Sequence, residues 1–181
     1  AGHPFAERRK IALLKKAGYN DIRSAHNPVS RAVLEACDEL GIMVLDEYVD
    51  MWYIHKTQFD YASLFEKNWR EDLRLMAEKD RNHPSVVMYS IGNEVSETAQ
   101  PRGIELTEQM VRRLHEVDPD RPVTCGINIF FNYLSSLGFG VYSDKKAEQE
   151  AAKTEKAKDK ETKDKKKKKA VGSEFINNVA G

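Results

Sequence analysis

An alternation of helical and strand-like segments is the feature that most constrains the fold of this chain. Residues 5–17, "FAERRKIALLKKA", and 30–41, "SRAVLEACDELG", place apolar side chains at helical spacing and lead into or end on glycine. Residues 42–47, "IMVLDE", and 85–92, "SVVMYSIG", are short unbroken apolar runs, which are typical of strands buried in a parallel sheet. Helix then strand, repeated four times with short connections, predicts right-handed βαβ units and an α/β fold.

The same signals place the other elements. Strands are predicted over 20–26 and 121–128, and helices over 63–80 and 103–118. Ser30 is the predicted cap of the second helix. One broad face of the 63–80 helix is expected to be buried, comprising Leu64, Phe65, Asn68, Trp69, Asp72, Leu75 and Met76.

The chain of 181 residues divides by composition. Residues 1–143 carry the alternating pattern, whereas 144–170 contain 12 Lys, 7 Asp or Glu and no Leu, Ile, Val, Met or aromatic residue. That segment is predicted to be a charged insert, either a solvated helix or disordered, and residues 171–181 to begin a further element. Binding of polyanions through its lysines is the less favoured alternative.

Charge and cysteine content narrow the class of protein. The formal net charge of zero argues against a nucleic-acid or membrane partner. Cys37 and Cys125 show no CxxC spacing, so we expect two buried free thiols and no zinc site. No signal peptide or membrane-spanning run is recognisable, and the sequence leaves the cellular location open.

Polar side chains gather where the predicted strands end. In parallel α/β folds the ligand lies beyond the carboxyl ends of the strands. Taken singly, each residue has a structural explanation, such as a helix cap for Asp46 or Glu47 or an ion pair between Arg23 and Asp46. Because all four predicted strands end on polar residues, a ligand-binding site is favoured over a purely structural role for these residues. The residues concerned are Arg23, His26, Asp46, Glu47, Asn93, Glu94 and Asn128.

The triplet Gly92-Asn93-Glu94 suggests cleavage of a sugar. An asparagine amide can bind a sugar hydroxyl, and a glutamic acid can give a proton to the leaving oxygen. The dipeptide Asn-Glu alone is a weak signal. Together with "RNHPSVVMYSIGNE" over 81–94 and "IRSAHNP" over 22–28 it is specific.

These segments resemble the catalytic barrel of glycoside hydrolase family 2, which includes β-galactosidases, β-glucuronidases and β-mannosidases. The motifs "LLKKAGYNDIRSAHNP", "CDELGIMVLDE", "KDRNHPSVVMYSIGNE" and "VDPDRPVT" follow the family's order over about residues 5–125. The resemblance implies a partial (β/α)8 TIM barrel, about strands two to five, whose sheet is not closed. It also implies a fragment of a retaining β-glycosidase with a carbohydrate substrate, of β-galactoside or β-glucuronide type.

The resemblance also assigns roles. Glu94 matches the family's acid/base, and Asn93 matches the amide that contacts the sugar 2-hydroxyl. Arg23 and His26 match residues near the subsite of the cleaved sugar. The acidic pair Asp46 and Glu47 matches positions expected to belong to the substrate site, with no finer role.

The family's nucleophilic glutamate sits on a later strand and is not expected within this chain. Glu174 is the one late candidate outside the lysine-rich segment, and its surroundings look helical. The alternative for the chain by itself is therefore an inert α/β fragment with at most weak sugar binding. Open sheet edges are expected to make the chain associate with copies of itself.

Some family members bind Mg²⁺ through an acid and a histidine shortly after the third barrel strand. In "DEYVDMW", residues 46–52, Asp50 is the corresponding acid, but Trp52 stands in place of the histidine. We therefore expect no cofactor here and leave Mg²⁺ open only for a longer protein. Trp52 is either a platform for a sugar ring or part of loop packing.

Overall fold

A computed structural model describes residues 2–137 of the chain. Four strands alternate with helices in the predicted order, and a short 3-10 helix follows β3. In chain order the elements are α1 Pro4–Lys16, β1 Asp21–Arg23, α2 Arg31–Leu40, β2 Met43–Glu47, α3 Ala62–Asp80, β3 Val86–Asn93, the 3-10 helix Ser96–Ala99, α4 Pro101–His115, β4 Val123–Gly126 and α5 Ile129–Ser136. The predicted insert over 144–170, the element over 171–181 and Glu174 lie outside the described residues.

The strands form one parallel sheet in the order β1-β2-β3-β4, so each strand pairs with its neighbour in the sequence. Arg23 lies opposite Leu45, and Glu47 lies opposite Ser90. Consecutive parallel strands joined by crossover helices are the arrangement of part of a (β/α)8 barrel. Among the described strands the sheet does not close, as predicted.

The two ends of α2 are set by a capping side chain and by a glycine, both indicated by the sequence. Ser30 Oγ accepts a hydrogen bond from the Val33 N–H at 3.4 Å, which caps the first turn. Gly41 has φ 66°, a left-handed conformation that glycine adopts without steric cost. Both predictions are confirmed.

β1 is only three residues long, shorter than the predicted strand over 20–26. The chain leaves the sheet after Arg23 because Ser24 and Val29 both bind the Asp46 carboxylate. Ser24 Oγ donates to Asp46 Oδ1 at 2.8 Å, and the Val29 N–H donates to the same oxygen at 2.9 Å. These bonds turn residues 24–29 over the end of β2.

The buried face of α3 is a narrow stripe rather than the predicted broad face. Its buried residues are Ala62, Phe65, Trp69, Leu73, Met76, Ala77 and Asp80. Leu64 and Leu75, both predicted to be buried, are 51% and 50% exposed. Leu64 and Leu75 are about three helical turns apart and so lie on the same side of α3, rotated by about 100° from the buried neighbours Phe65 and Met76 and away from the buried stripe.

The two cysteines are both free, but only one is fully enclosed. Cys37 of α2 has no exposed surface, and burial raises the pKa of its thiol to about 11. Cys125 of β4 is partly exposed, and burial raises its pKa to about 12. In the part of the chain between residues 2 and 137, no helix combines the length and the apolar character needed to cross a membrane.

Candidate active site

Glu47, the last residue of β2, is the centre of a hydrogen-bonded cluster at the strand ends. Its side chain has no exposed surface. Arg23 Nε and Nη2 donate to Glu47 Oε2 at 3.0 and 2.7 Å, and Ser90 Oγ donates to the same oxygen at 2.8 Å. His26 Nδ1 lies 2.6 Å from Oε1. A buried carboxylate needs such partners, and here they come from β1, the loop after it and β3.

The cluster leaves Arg23 and His26 accessible. Their side chains are 43% and 36% exposed, whereas Glu47 is enclosed behind them. Glu47 therefore holds the side chains of Arg23 and His26 at the carboxyl ends of the strands, where a ligand can reach them. Its own oxygens face protein donors rather than solvent.

Asn93 ends β3 and joins this cluster through its side-chain amide. Arg23 Nη2 donates to Asn93 Oδ1 at 2.7 Å, and Asn93 Nδ2 donates to Asp50 Oδ1 at 2.8 Å. Lys56 Nζ donates to Asp50 Oδ1 at 2.7 Å and to the main-chain oxygen of Asn93 at 2.6 Å. The Asn93 amide is thus fixed from two sides.

Asp50 and Lys56 lie in the irregular connection between β2 and α3. Burial raises the pKa of Asp50, but hydrogen bonds from Lys56 and Asn93 outweigh it and leave the pKa below its ordinary value. The sequence indicates Asp50 only as a possible metal ligand, and no sequence feature distinguishes Lys56. No periodicity marks a residue in such a loop, so its place was not predictable.

Glu94 follows Asn93 in a left-handed conformation, with φ 46°. This conformation is uncommon for a residue with a side chain and turns the backbone out of the strand. The Glu94 N–H donates to the Gly126 carbonyl at 2.6 Å. Its carboxylate Oε1 accepts a hydrogen bond from Asn128 Nδ2 at 3.0 Å. Glu94 is half-buried between the ends of β3 and β4.

Trp52 lies beneath the site rather than in it. Its indole is fully buried, donates from Nε1 to the Ile91 carbonyl at 2.8 Å and stacks on Phe65 with ring centroids 6.4 Å apart. A Cβ on Gly92 would lie 2.8 Å from Trp52 Nε1. An indole with no exposed face offers no platform to a sugar, so the packing alternative is correct.

Asp46 points away from the cluster, because neighbouring residues of a strand face opposite sides of the sheet. It is fully buried, and its partners Ser24 and Val29 are the two ends of the loop 24–29 that carries His26. Asp46 was expected to belong to the substrate site, and it does so only by supporting this loop, since its carboxylate does not reach the cluster around Glu47. The alternative of an Arg23–Asp46 ion pair is wrong, since Arg23 pairs with Glu47.

α3 supplies further charges beside Asp46. Lys79 Nζ donates to Asp46 Oδ2 at 3.2 Å and also contacts Asp80. Burial and the neighbouring Asp46 raise the pKa of Asp80 well above its ordinary value, against the opposing effect of Lys79. This group lies between the sheet and α3, away from the open site.

A cavity of about 590 Å³ opens between the loop after β1, the loop after β2 and α3. His26 and Asp50 line it on the side of the cluster, and Met76 belongs to its apolar wall. Tyr48 and Tyr61 lie on another wall, where their hydroxyls donate to Asp72 Oδ2 at 2.8 and 2.5 Å.

The residues present do not fit a Mg²⁺ site. The Asp50 carboxylate is engaged by Lys56 and Asn93, and the Trp52 indole is turned into the core. A lysine ammonium beside the carboxylate already supplies the positive charge that a cation would bring. No group of three His, Cys, Asp or Glu side chains among the described residues is arranged to hold a metal ion.

Comparison with known proteins identifies the fold's relatives. The model of the TIM barrel domain of glycosyl hydrolases family 2 matches residues 6–181. A β-galactosidase of Bacteroides ovatus is 38% identical over 151 residues, covering 66% of this chain and 18% of that protein. The β-glucuronidase of Rattus norvegicus is 36% identical over 115 residues, covering 62% and 17%.

Solved structures agree. A family 2 glycosyl hydrolase from Bacteroides cellulosilyticus has a TM-score of 0.68 and 43% identity, covering 75% of this chain and 18% of that one. A β-D-glucuronidase from Dictyoglomus thermophilum has a TM-score of 0.61 and 27% identity, covering 71% and 23%. The chain thus spans less than a quarter of the length of these relatives. It belongs to glycoside hydrolase family 2, and it is part of that family's TIM barrel domain.

Proposed function

We propose that the chain is the part of a retaining β-glycosidase that supplies the proton donor, Glu94. The observation that carries the proposal is the position of Glu94 at the end of β3, hydrogen-bonded to Asn128 and next to the Asn93 cluster. The printed names of the relatives, β-galactosidase and β-glucuronidase, favour a β-galactoside or β-glucuronide as the substrate of the longer protein.

In this proposal Glu94 protonates the leaving oxygen and later takes a proton from the attacking water. Asn93, Arg23 and His26 bind the sugar that is cleaved, and Glu47 positions Arg23 and His26. Asp50 is not assigned as a metal ligand in this proposal, because Lys56 already neutralises its carboxylate.

The partner of Glu94, the nucleophile, is proposed to lie outside this chain. Glu47 is an unfavourable nucleophile, since both of its oxygens are engaged by Arg23, His26 and Ser90. A retaining pair needs a second, open carboxylate about 5–5.5 Å from the acid. We therefore expect the 181-residue chain alone to hydrolyse no aryl β-glycoside and to bind sugar weakly at best.

The test is Glu94→Gln in the longer protein, assayed on aryl β-glycosides of graded leaving-group pKa. General acid catalysis is typically worth about 10²–10⁴-fold. Substrates with poor leaving groups should lose that much in kcat/KM, while activated leaving groups, which depart without a proton, should be largely spared. The exposed Glu105→Gln on α4 is the matched control and should leave all rates unchanged.

Two results would contradict the proposal. One is an equal loss on every leaving group, which would remove Glu94 from proton donation. The other is hydrolysis of aryl β-glycosides by the isolated 181-residue chain, which would place the nucleophile within this chain.

A further inference from the structure

We propose that Asp50 and Lys56 are positioning residues that fix the orientation of the Asn93 amide, and thereby set how the site reads the sugar hydroxyl beside the reacting carbon. The inference deepens the proposed function and rests on it for the identity of the ligand. Its structural part concerns only the contacts around Asn93.

The orientation of the amide is dictated by the chemistry of its two neighbours. An arginine side chain only donates hydrogen bonds, and an ionised carboxylate only accepts them. Arg23 therefore requires the amide oxygen, and Asp50 requires the amide nitrogen, at 2.7 and 2.8 Å. A flipped amide would place donor against donor and acceptor against acceptor.

Lys56 holds Asp50 in place beside Asn93. Its side chain is only 9% exposed, and Nζ bridges Asp50 Oδ1 and the main-chain oxygen of Asn93 at 2.7 and 2.6 Å. The ammonium keeps Asp50 ionised and joins the loop after β2 to the backbone just before Glu94. Removing it leaves a carboxylate and a carbonyl without their charged donor, which is costlier than losing a neutral bond.

The Asn93 amide can still form hydrogen bonds with a ligand. After the bonds to Arg23 and Asp50, one lone pair on Oδ1 and one hydrogen on Nδ2 remain among the described contacts. A sugar hydroxyl both donates and accepts, so it can use either. Without Asp50 the amide can turn, and the preference for a hydroxyl at that position weakens.

The first test measures this preference in the longer enzyme. kcat/KM is compared for a β-glycoside and its analogue that lacks the hydroxyl next to the reacting carbon. In Asp50→Asn, and in Lys56→Met, the ratio of the two values should fall about 10-fold relative to the unmodified enzyme. A change that only loosens the fold would lower both substrates together and leave the ratio intact.

Asp38→Asn is the matched control, because Asp38 is also a carboxylate with two hydrogen-bond partners, His83 and the Ser85 N–H, and it does not line the cavity beside Asp50. It should leave the ratio unchanged. The positioning role is wrong if Asp50→Asn retains the full ratio or if Asp38→Asn lowers the ratio equally. Either result leaves the proposed function intact, because that function is tested by hydrolysis itself.

The second test needs no activity and uses the 181-residue chain. The ¹⁵N-edited side-chain amide signals of Asn93 should follow the ionisation of Asp50, which faces Lys56 from its own loop and His26 from the loop after β1. Because the pKa of Asp50 is lowered, the Asn93 signals should move only below about pH 4, the ordinary range of an aspartate.

The movement of the Asn93 signals should vanish in Asp50→Asn and persist in Asp38→Asn. Asn93 amide signals that match those of a solvent-exposed asparagine and ignore pH would overturn the inference. This measurement decides the positioning even if the longer protein hydrolyses no β-glycoside, in which case the proposed function alone fails.

Discussion

At the scale of single residues, burial and hydrogen bonding together decide what a polar side chain can do. Glu47 is fully buried and has donors on both oxygens, so it holds other groups in place. Glu94 is half-buried with one oxygen bound by Asn128, so its carboxyl group remains open to a ligand. Two glutamates at neighbouring strand ends thus differ in their access to a ligand.

Glu47→Gln should be destabilising. An amide in its place cannot accept from all four partner atoms, and it leaves the Arg23 charge without its carboxylate. Because the Arg23 and His26 side chains are part-exposed and can be hydrated, the cost comes mainly from unsatisfied buried groups and should be about 1–3 kcal/mol. Urea denaturation of the chain measures the loss, and the exposed Glu105→Gln should change the free energy of unfolding by less than about 0.5 kcal/mol. Equal stability of the two variants would contradict the role of Glu47 as the centre of the cluster.

Gly92→Ala should cost about 1–3 kcal/mol, because the new methyl group would lie 2.8 Å from Trp52 Nε1 in a buried environment. Equilibrium unfolding followed by tryptophan fluorescence measures the change. Combining it with Trp52→Phe removes the clashing atom, so the double variant should lose less than the sum of the single losses. Strict additivity would show that the two positions do not meet.

At the scale of elements, the packing of α3 on β2 places like charges together. Asp46 of β2 and Asp80 of α3 share Lys79, and both carboxylates are buried. Burial next to a second carboxylate favours the protonated form of Asp80 in the folded chain. The contact between these two elements should therefore depend on pH.

The sign of that dependence follows from proton binding. Asp80 has a raised pKa in the folded state, so the folded chain binds its proton more tightly than the unfolded chain does, and stability falls as pH rises above about 4. Asp80→Asn removes this slope, and its stability relative to the unmodified chain should increase from pH 4 to pH 7. Urea denaturation across that range measures it.

Asp38 provides the opposite case as a control. Burial raises its pKa, but hydrogen bonds from Ser85 and His83 outweigh burial, and the net pKa is lowered. Its stabilising effect is present above the ordinary aspartate pKa and is lost as pH falls through the folded value. Asp38→Asn should therefore lose relative stability as pH rises toward about 4 and stay level from pH 4 to pH 7, the range in which Asp80→Asn gains. The same slope for both variants would contradict the assignment.

At the scale of the whole molecule, apolar side chains are exposed on the sheet and on α5 within the described residues 2–137. Met43 and Val87 on the sheet are 43% and 41% exposed, and α5 exposes Ile129, Phe130 and Tyr133 at 82%, 63% and 60%. Exposed apolar patches and unpaired strand edges favour association. A closed eight-stranded barrel would have neither sheet edge.

We expect the 181-residue chain to associate with copies of itself. Multi-angle light scattering at increasing concentration should show a rising mass. The double variant Ile129→Lys/Phe130→Lys removes part of the exposed apolar surface and should shift association to higher concentration. A compact monomer that stays monodisperse at high concentration would contradict this expectation.

The order of elements and the family were readable from the sequence because both depend on local pattern. Apolar periodicity separates helix from strand, Ser30 and Gly41 mark the ends of α2, and the motif ending in Asn93 and Glu94 is contiguous. The polar residues at the strand ends could also be located from the sequence, because each of them directly follows an apolar run.

Only the tertiary structure decided which of these residues meet. Asp46 and Glu47 are adjacent in sequence, but the pleat of β2 sends one toward α3 and the other toward the site. Trp52 is buried and Lys56 reaches Asn93 because of the path of one irregular loop, which has no period to read. Side chains that meet across strands and loops depend on register and loop path, and these are set by the packing of the whole sheet.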